Sequence, residues 1–266
     1  MRGFFRLGLT ALMLLALSGC KVAELAPIEG KIFFEVTEGQ FQGESAGKPV
    51  IGLCMETEKI YGCRNYSIMA ALEHRGENIT IRLSGIEVPG VCLTALGPAV
   101  AVKALELAEG SYELVFKKAM FVNRYRLTVR PDAIEVSPLA GTAPFTEPKT
   151  TLFWRFPPNS FAYLCGTTTE TAWMCNDFLS LLTREIELEE ITFPAYGKVC
   201  YPASSQGHQY NMPAKYFVYK DEADFERAGE LLRAYAQSVL RGVQGVGLSL
   251  VNWKNKRYNS WLMLSP

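Results

Sequence analysis

From Gly30 to about Pro138 the chain alternates between apolar and polar positions in short runs separated by turn-forming residues. Asn78-Ile-Thr-Ile-Arg-Leu83 places Ile79, Ile81 and Leu83 on one face and Thr80 and Arg82 on the other, the two-residue period of a half-buried strand. Arg124 to Arg130 repeats it: Tyr125, Leu127 and Val129 face inward, and Arg124, Arg126, Thr128 and Arg130 face water. Lys31–Val36, Pro49–Cys54 and Ser111–Phe116 read the same way. No helical stretch of crossover length separates these runs, so the expectation is an antiparallel β-sandwich.

One local motif sharpens that expectation. Leu107-Ala-Glu-Gly-Ser-Tyr112 has the Leu-x-x-Gly-x-Tyr form and resembles the tyrosine corner of immunoglobulin-like sandwiches. The two-cysteine, one-tryptophan pin of antibody domains is absent, so the resemblance implies the general architecture only. Gly141 to Lys149, with Pro144 and Pro148, reads as the boundary between two domains.

Beyond it the periods are mixed. Thr151–Arg155 and Phe161–Cys165 read as strands, and Thr167-x-x-Glu170 has the form of a capping box. Ala172, Trp173, Cys175, Phe178, Leu179 and Leu182 then recur at helical spacing. Ile191–Phe193, Lys198–Tyr201 and Lys215–Lys220 read as further strands. Asp221 caps a second helix whose stripe of Phe225, Ala228, Leu232, Tyr235, Ala236 and Val239 ends at Gly242. Gly247–Trp253 and Ser260–Leu264 form a hairpin around Lys254–Arg257. Strand, helix, strand, strand, helix, strand is the order of a split βαβ, ferredoxin-like α+β domain with an extra edge strand.

Composition narrows the partners. Lysine plus arginine and aspartate plus glutamate both number 27, and no basic tract or stripe exists, so nucleic acid is not an expected partner. The leading residues change the picture more. Arg2 and Arg6 precede an apolar run from Leu7 to Leu17, followed by Ser18, Gly19 and Cys20: the charge, hydrophobicity and cleavage-site order of an export signal. Leu17-Ser-Gly-Cys20 resembles the lipobox of bacterial lipoproteins. The resemblance implies cleavage before Cys20, acylation of Cys20 with fatty chains such as palmitate, and attachment to the lipid bilayer of a cell envelope. Lys21, where the inner-membrane retention signal has aspartate, implies the outer membrane if the cell has two. The expected organisation is a signal peptide over 1–19, a lipidated tether over 20–29, the immunoglobulin-like sandwich over 30–140 and the α+β domain over 150–266.

Six cysteines follow the lipobox: Cys54, Cys63, Cys92, Cys165, Cys175 and Cys200. Export brings them to an oxidising compartment, so disulfides are expected. None of the spacings is Cys-x-x-Cys, which disfavours redox and zinc centres. Leu53-Cys54 to Cys63-Arg-Asn-Tyr66 and Leu164-Cys165 to Cys175-Asn-Asp-Phe178 share a layout, explained by a diverged duplication or by coincidence. Either a bridge crosses between the halves or each half keeps a free thiol. Analogy between the halves favours Cys54–Cys63, Cys165–Cys175 and a Cys92–Cys200 crosslink.

No nucleophile elbow, His-Glu-x-x-His or phosphate-cradling loop is present, and no cofactor is expected. The glycines from Gly242 to Gly247 follow a helix and enter a strand, the reverse of a dinucleotide-binding turn. The polar stretch Ala203–Pro213, with His208 beside Tyr201 and Tyr210, has the donors and rings to hold a glycan or peptide. The leading expectation is a non-catalytic envelope lipoprotein that binds another envelope protein. Ligand binding through the 203–213 loop is the alternative, and a hydrolase built on His208 and an unpaired cysteine is a third reading.

Overall fold

The protein is described from a computed structural model over residues 25–41, 47–139, 144–202 and 210–264. Cys20, the leader, His208 and most of the 203–213 stretch lie outside these residues. The fold is β-rich, with one large curled sheet and a second sheet flanked by helices.

The first sheet comprises β1 (Ile32–Gly39), β2 (Val50–Tyr61), β3 (Ser67–Arg75), β4 (Asn78–Glu87), β5 (Gly97–Leu105), β6 (Gly110–Lys118), β7 (Phe121–Val129), β8 (Ala133–Pro138), β9 (Thr146–Pro148) and β10 (Leu152–Trp154). Their order is β10-β8-β7-β6-β4-β3-β5-β2-β1-β9. The ladder narrows to the single pair Ser67 and Val100 between β3 and β5. Around that join the sheet folds over, bringing Phe34 of β1 to ring-centroid distances of 4.7 Å from Phe116 on β6 and 4.8 Å from Tyr125 on β7. The alternating positions fill the space between the two halves: Ile32, Phe34, Leu53, Ile79, Ile81, Leu114, Phe116 and Leu127 are all fully buried. Removing these side chains from water is the main stabilising term. At the start of β6 the Tyr112 hydroxyl donates to the Ala108 carbonyl at 3.0 Å, the backward tie the tyrosine motif implies.

Two boundaries shift from the sequence expectation. Ala26, assigned to the tether, exchanges both backbone hydrogen bonds with Ile86 at 2.9 and 2.8 Å. Gly85 permits this close approach, because a Cβ there would meet the Leu25 Cβ at 2.8 Å. Thr146–Pro148 runs parallel to β1, and Leu152–Trp154 runs antiparallel to β8. The segment read as linker and first strand of the second domain is thus woven into the first sheet, and the chain passes to the second sheet between Trp154 and Ser160.

The second sheet comprises β11 (Ser160–Thr167), β12 (Glu189–Ile191), β13 (Tyr210–Asn211), β14 (Lys215–Val218), β15 (Gly247–Asn252) and β16 (Arg257–Asn259), with helices α1 (Ala172–Glu185) and α2 (Glu222–Tyr235). Its order is β12-β14-β11-β15-β16, with β13 also pairing β11, and every pairing is antiparallel. All of β11 is buried because both faces are covered. Phe161, Tyr163 and Cys165 pack with the helices, whereas Ala162 and Leu164 pack with Tyr201 and Val251. Asp221 caps α2 as expected, its carboxylate accepting from the Ala223 amide at 2.9 Å in a capping box completed by Asp224. The Thr167-x-x-Glu170 box does not form. α1 starts at Ala172 after Thr171, whose hydroxyl bonds Thr167 at 2.7 Å and donates to the Gly245 carbonyl at 3.1 Å. Two expected strands also differ: Ser260–Leu262 is a 3-10 turn, and Lys198 makes only an isolated bridge to Phe153.

The disulfides are Cys63–Cys92 and Cys165–Cys175, leaving Cys54 and Cys200 as free thiols. Of the expected pairs only Cys165–Cys175 forms. Cys54 sits mid-strand on β2, and Cys63 lies beyond the end of that strand, roughly 30 Å away at about 3.3 Å per residue, far outside disulfide reach. The expected Cys92–Cys200 crosslink is excluded in the same way, because Cys92 and Cys200 lie at opposite ends of the first sheet. The two cysteine-bearing segments occupy unlike elements, so their shared layout does not correspond to a shared fold.

The ends of the first sheet are distinct. One gathers Ala26, Lys31, the end of β2, the start of β3, the end of β4 and the start of β5. The other carries the end of β1, where Glu38, 4% exposed in its side chain, is held by Arg155 at 2.8 Å and accepts from the Phe156 amide at 3.0 Å. This ion pair ties the end of β1 to the segment that leads from β10 towards the second sheet. The second sheet sits at the end of the first that lies away from Ala26.

Candidate functional site

The chain crosses between the sheets beside a groove of about 890 Å³, bounded by Arg130, Glu135, Lys149, Thr150, Trp154 and Tyr196 among others. Its floor is a graft of the second region onto the first. The Lys198 amide donates to the Leu152 carbonyl at 2.9 Å, and the Trp154 amide donates to the Lys198 carbonyl at 2.8 Å. This extends the β10 edge by one bridge. Gly197 makes the approach possible: its φ is +83°, and a Cβ would lie 2.9 Å from Trp154 Nε1. The turn brings Tyr196 against Trp154, with ring centroids 5.7 Å apart and the indole N–H donating to the Tyr196 carbonyl at 2.7 Å.

Charged groups surround this aromatic pair in mutually neutralised form. Arg130 pairs with Glu135 at 2.9 Å, Lys149 with Glu56 at 3.0 Å, and Lys198 with Glu35 at 2.6 Å; Glu35 also accepts from the Thr150 hydroxyl. Tyr196 is 65% exposed, so its ring is available to a ligand. A concave surface of this size with two rings and several exchangeable ion pairs suits a peptide segment or a sugar. On its other side Trp154 lines a second depression of about 540 Å³ with Pro157, Pro158, Phe193 and Pro194.

Of the residues singled out from sequence, Tyr201 is a packing residue. It is 4% exposed, bonds the Ser160 hydroxyl at 2.6 Å and stacks on Tyr216 at 5.6 Å. Burial raises its phenol pKa. Tyr210 is on β13, and His208 lies outside the described residues. Cys200 donates towards the Arg155 carbonyl at 3.5 Å, and burial pushes its thiol well above the ordinary range, which disfavours the thiolate a nucleophile needs. Burial likewise raises the Cys54 thiol. Trp154 and Tyr196, which form the groove, were not singled out. Their signal was the concentration of tryptophans after residue 150, but only the return of Lys198 to the β10 edge brings them together.

Among the described residues no group of histidine, cysteine, aspartate and glutamate could hold a metal ion, and no helix is long and apolar enough to cross a membrane. No family model, curated protein or solved structure matches the chain.

Proposed function

We propose that this chain is an envelope lipoprotein, anchored through acylated Cys20 in the outer membrane where two membranes exist, and that it acts as a non-catalytic module binding another envelope protein. The observation that carries the reading is the Trp154–Tyr196 groove, which lies on the part of the first sheet away from the end where the tether enters. A partner segment seated there would meet two rings and ion pairs able to re-partner, a combination typical of protein contacts. In the same proposal the curled sheet is an immunoglobulin-like sandwich, supported by its two facing halves and by the tie from Tyr112 to Ala108. The second region is a ferredoxin-like domain, supported by the order β12-β14-β11-β15 and its two helices.

The test is site-specific photocrosslinking in intact envelopes. A photoreactive phenylalanine analogue replacing Tyr196 is expected to give one discrete protein adduct, and the same group replacing Trp173 on α1 is expected not to. No adduct at Tyr196, or the same adducts from both positions, would refute the reading. The exposed ring of Tyr196 also favours a second reading, a glycan or peptide ligand in this groove. In that case Tyr196→Ala abolishes ligand retention, and the photoreactive analogue at position 196 gives no protein adduct.

A further inference from the structure

The end of the first sheet where the tether enters carries a second feature. Four of the nine residues between β4 and β5, Val88, Val91, Leu93 and Leu96, are large, apolar and exposed; Val91 and Leu96 are exposed by 77% and 79%. Ile60, at the end of β2, adds 56% exposure beside them. Scattered exposed apolar residues are ordinary, but a cluster on one loop marks a contact surface.

The loop is also held firmly. Cys92 is bonded to Cys63, Asn65 Nδ2 donates to the Val91 carbonyl at 2.7 Å, the Leu93 amide donates to Asn65 Oδ1 at 3.1 Å, and the Arg64 amide donates to the Leu93 carbonyl at 3.2 Å. Backbone groups on both sides of Cys92 therefore find partners inside the protein while the side chains project. Such a loop can enter a water-poor layer without leaving those groups unsatisfied, which is the main cost of placing irregular backbone there.

The position of the tether selects the occupant. Ala26 is bridged to Ile86, one residue before the end of β4, and the loop follows directly. From Ala26 back to Cys20 the chain is so short that even fully extended it reaches only about 20 Å. Whatever surface holds Cys20 is therefore within reach of the loop.

We infer that the Val88–Leu96 loop is a membrane-contacting element that seats Val91, Leu93 and Leu96 in the interfacial layer of the bilayer and sets the orientation of the protein on it. The inference rests on the reading of Cys20 as the anchor. An apolar contact beside the anchor adds to the hold of the acyl chains and stops the domain from swivelling on its tether. The second sheet is then presented away from the membrane.

The experiment uses the full chain reconstituted in phosphatidylethanolamine and phosphatidylglycerol vesicles doped with a lipid bearing a photoreactive acyl chain. Adducts are mapped by peptide mass spectrometry, with the acyl mass on the Cys20 peptide recorded in the same digest. Lipid adducts are expected on the Val88–Leu96 peptide and not around the exposed Trp173 and Leu262 of the second region. Leu93→Asp with Leu96→Asp is expected to reduce loop labelling about tenfold, with acylation and circular dichroism unchanged. An acylated chain whose loop is unlabelled, or labelled no more than Trp173 and Leu262, overturns the inference and leaves the anchor reading standing. A labelled loop without acyl mass on Cys20 supports the contact and removes the anchor. A loop that crosslinks to protein instead of lipid in native envelopes also overturns the inference.

Discussion

The two ends of the first sheet solve opposite problems. At the end where Ala26 enters, aliphatic side chains stand in the open on a loop whose backbone is pinned by a cystine. At the other end charge is drawn inward: Glu38 is buried against Arg155, and the surface beside it carries the Trp154–Tyr196 pair and its ion pairs. One end leaves apolar groups exposed where folding would favour burying them, and the other buries charge where folding would favour exposing it. Each local violation accompanies a contact. The buried charge holds the connecting segment after β10 to the end of β1, and the exposed aliphatics point to a surface outside the chain.

The most forceful way to break this contrast is to remove the charge at the joint. Arg155→Ala would leave Glu38 buried with only the Phe156 amide as partner of its carboxylate among the described residues, and would delete the donation from Arg155 Nη1 to the Arg130 carbonyl. Unpairing a buried charge costs about 3–5 kcal/mol. Urea unfolding is expected to shift by that amount, because the segment leading to the second sheet loses its hold on β1 while the Lys198 bridge to β10 remains. An unchanged midpoint would mean that the Glu38–Arg155 pair contributes nothing to stability.

The other end is tested through its cystine. Cys63→Ser with Cys92→Ser opens a loop closed across a sequence separation of 29 residues, for which the chain-entropy model gives about 3.6 kcal/mol. The loss is expected below that figure, since Asn65 still holds Val91 and Leu93. Hydrogen exchange is expected to rise over residues 88–96 and to stay unchanged around Arg155. Equal loss of protection at both ends would show that the cystine supports the whole sheet instead of the loop alone.

How far the sequence foretold this contrast follows from the range of each signal. Strands whose two faces differ, such as β4 with Ile79 and Ile81 inward and Arg82 outward, were legible because period two survives in them. β3 and β5 were missed: Ser-Ile-Met-Ala-Ala-Leu and Pro-Ala-Val-Ala-Val place small or apolar residues on both faces, which blurs the alternation. The Asp221 cap was legible because its partners lie within one helical turn, whereas Thr171 is fixed by Gly245, far along the chain. Trp154 and Tyr196 meet only through a bridge between distant segments. Cystine pairing failed by analogy because the two layouts sit on unlike elements: an extended strand separates Cys54 from Cys63, while a turn into α1 folds Cys165 back onto Cys175.

The smallest effect separates the two sheets by pH. In the second region burial raises the phenol pKa of Tyr163, Tyr201 and Tyr235, and that of Tyr219 is pushed up to about 12, first by burial and then by the nearby Glu222 carboxylate. In the first sheet Tyr61 and Tyr125 are raised as well, again by burial. A phenol whose folded pKa lies above its unfolded value near 10 binds its proton more tightly when folded. The stabilisation is therefore complete below about pH 10 and is lost as pH rises towards the folded value. With more such phenols, the second region is expected to lose stability first. Brief alkaline exposure should move the tryptophan fluorescence, dominated by Trp173, Trp253 and Trp261, together with phenolate absorbance, before the β-sheet circular dichroism of the first sheet declines. Substituting Tyr219→Phe removes one of these ionisations and should raise the pH at which the fluorescence moves, while leaving the first sheet's response where it was. If both signals fall together in the parent and the Tyr219→Phe protein alike, the two sheets unfold as one cooperative unit and the contrast between them does not extend to stability.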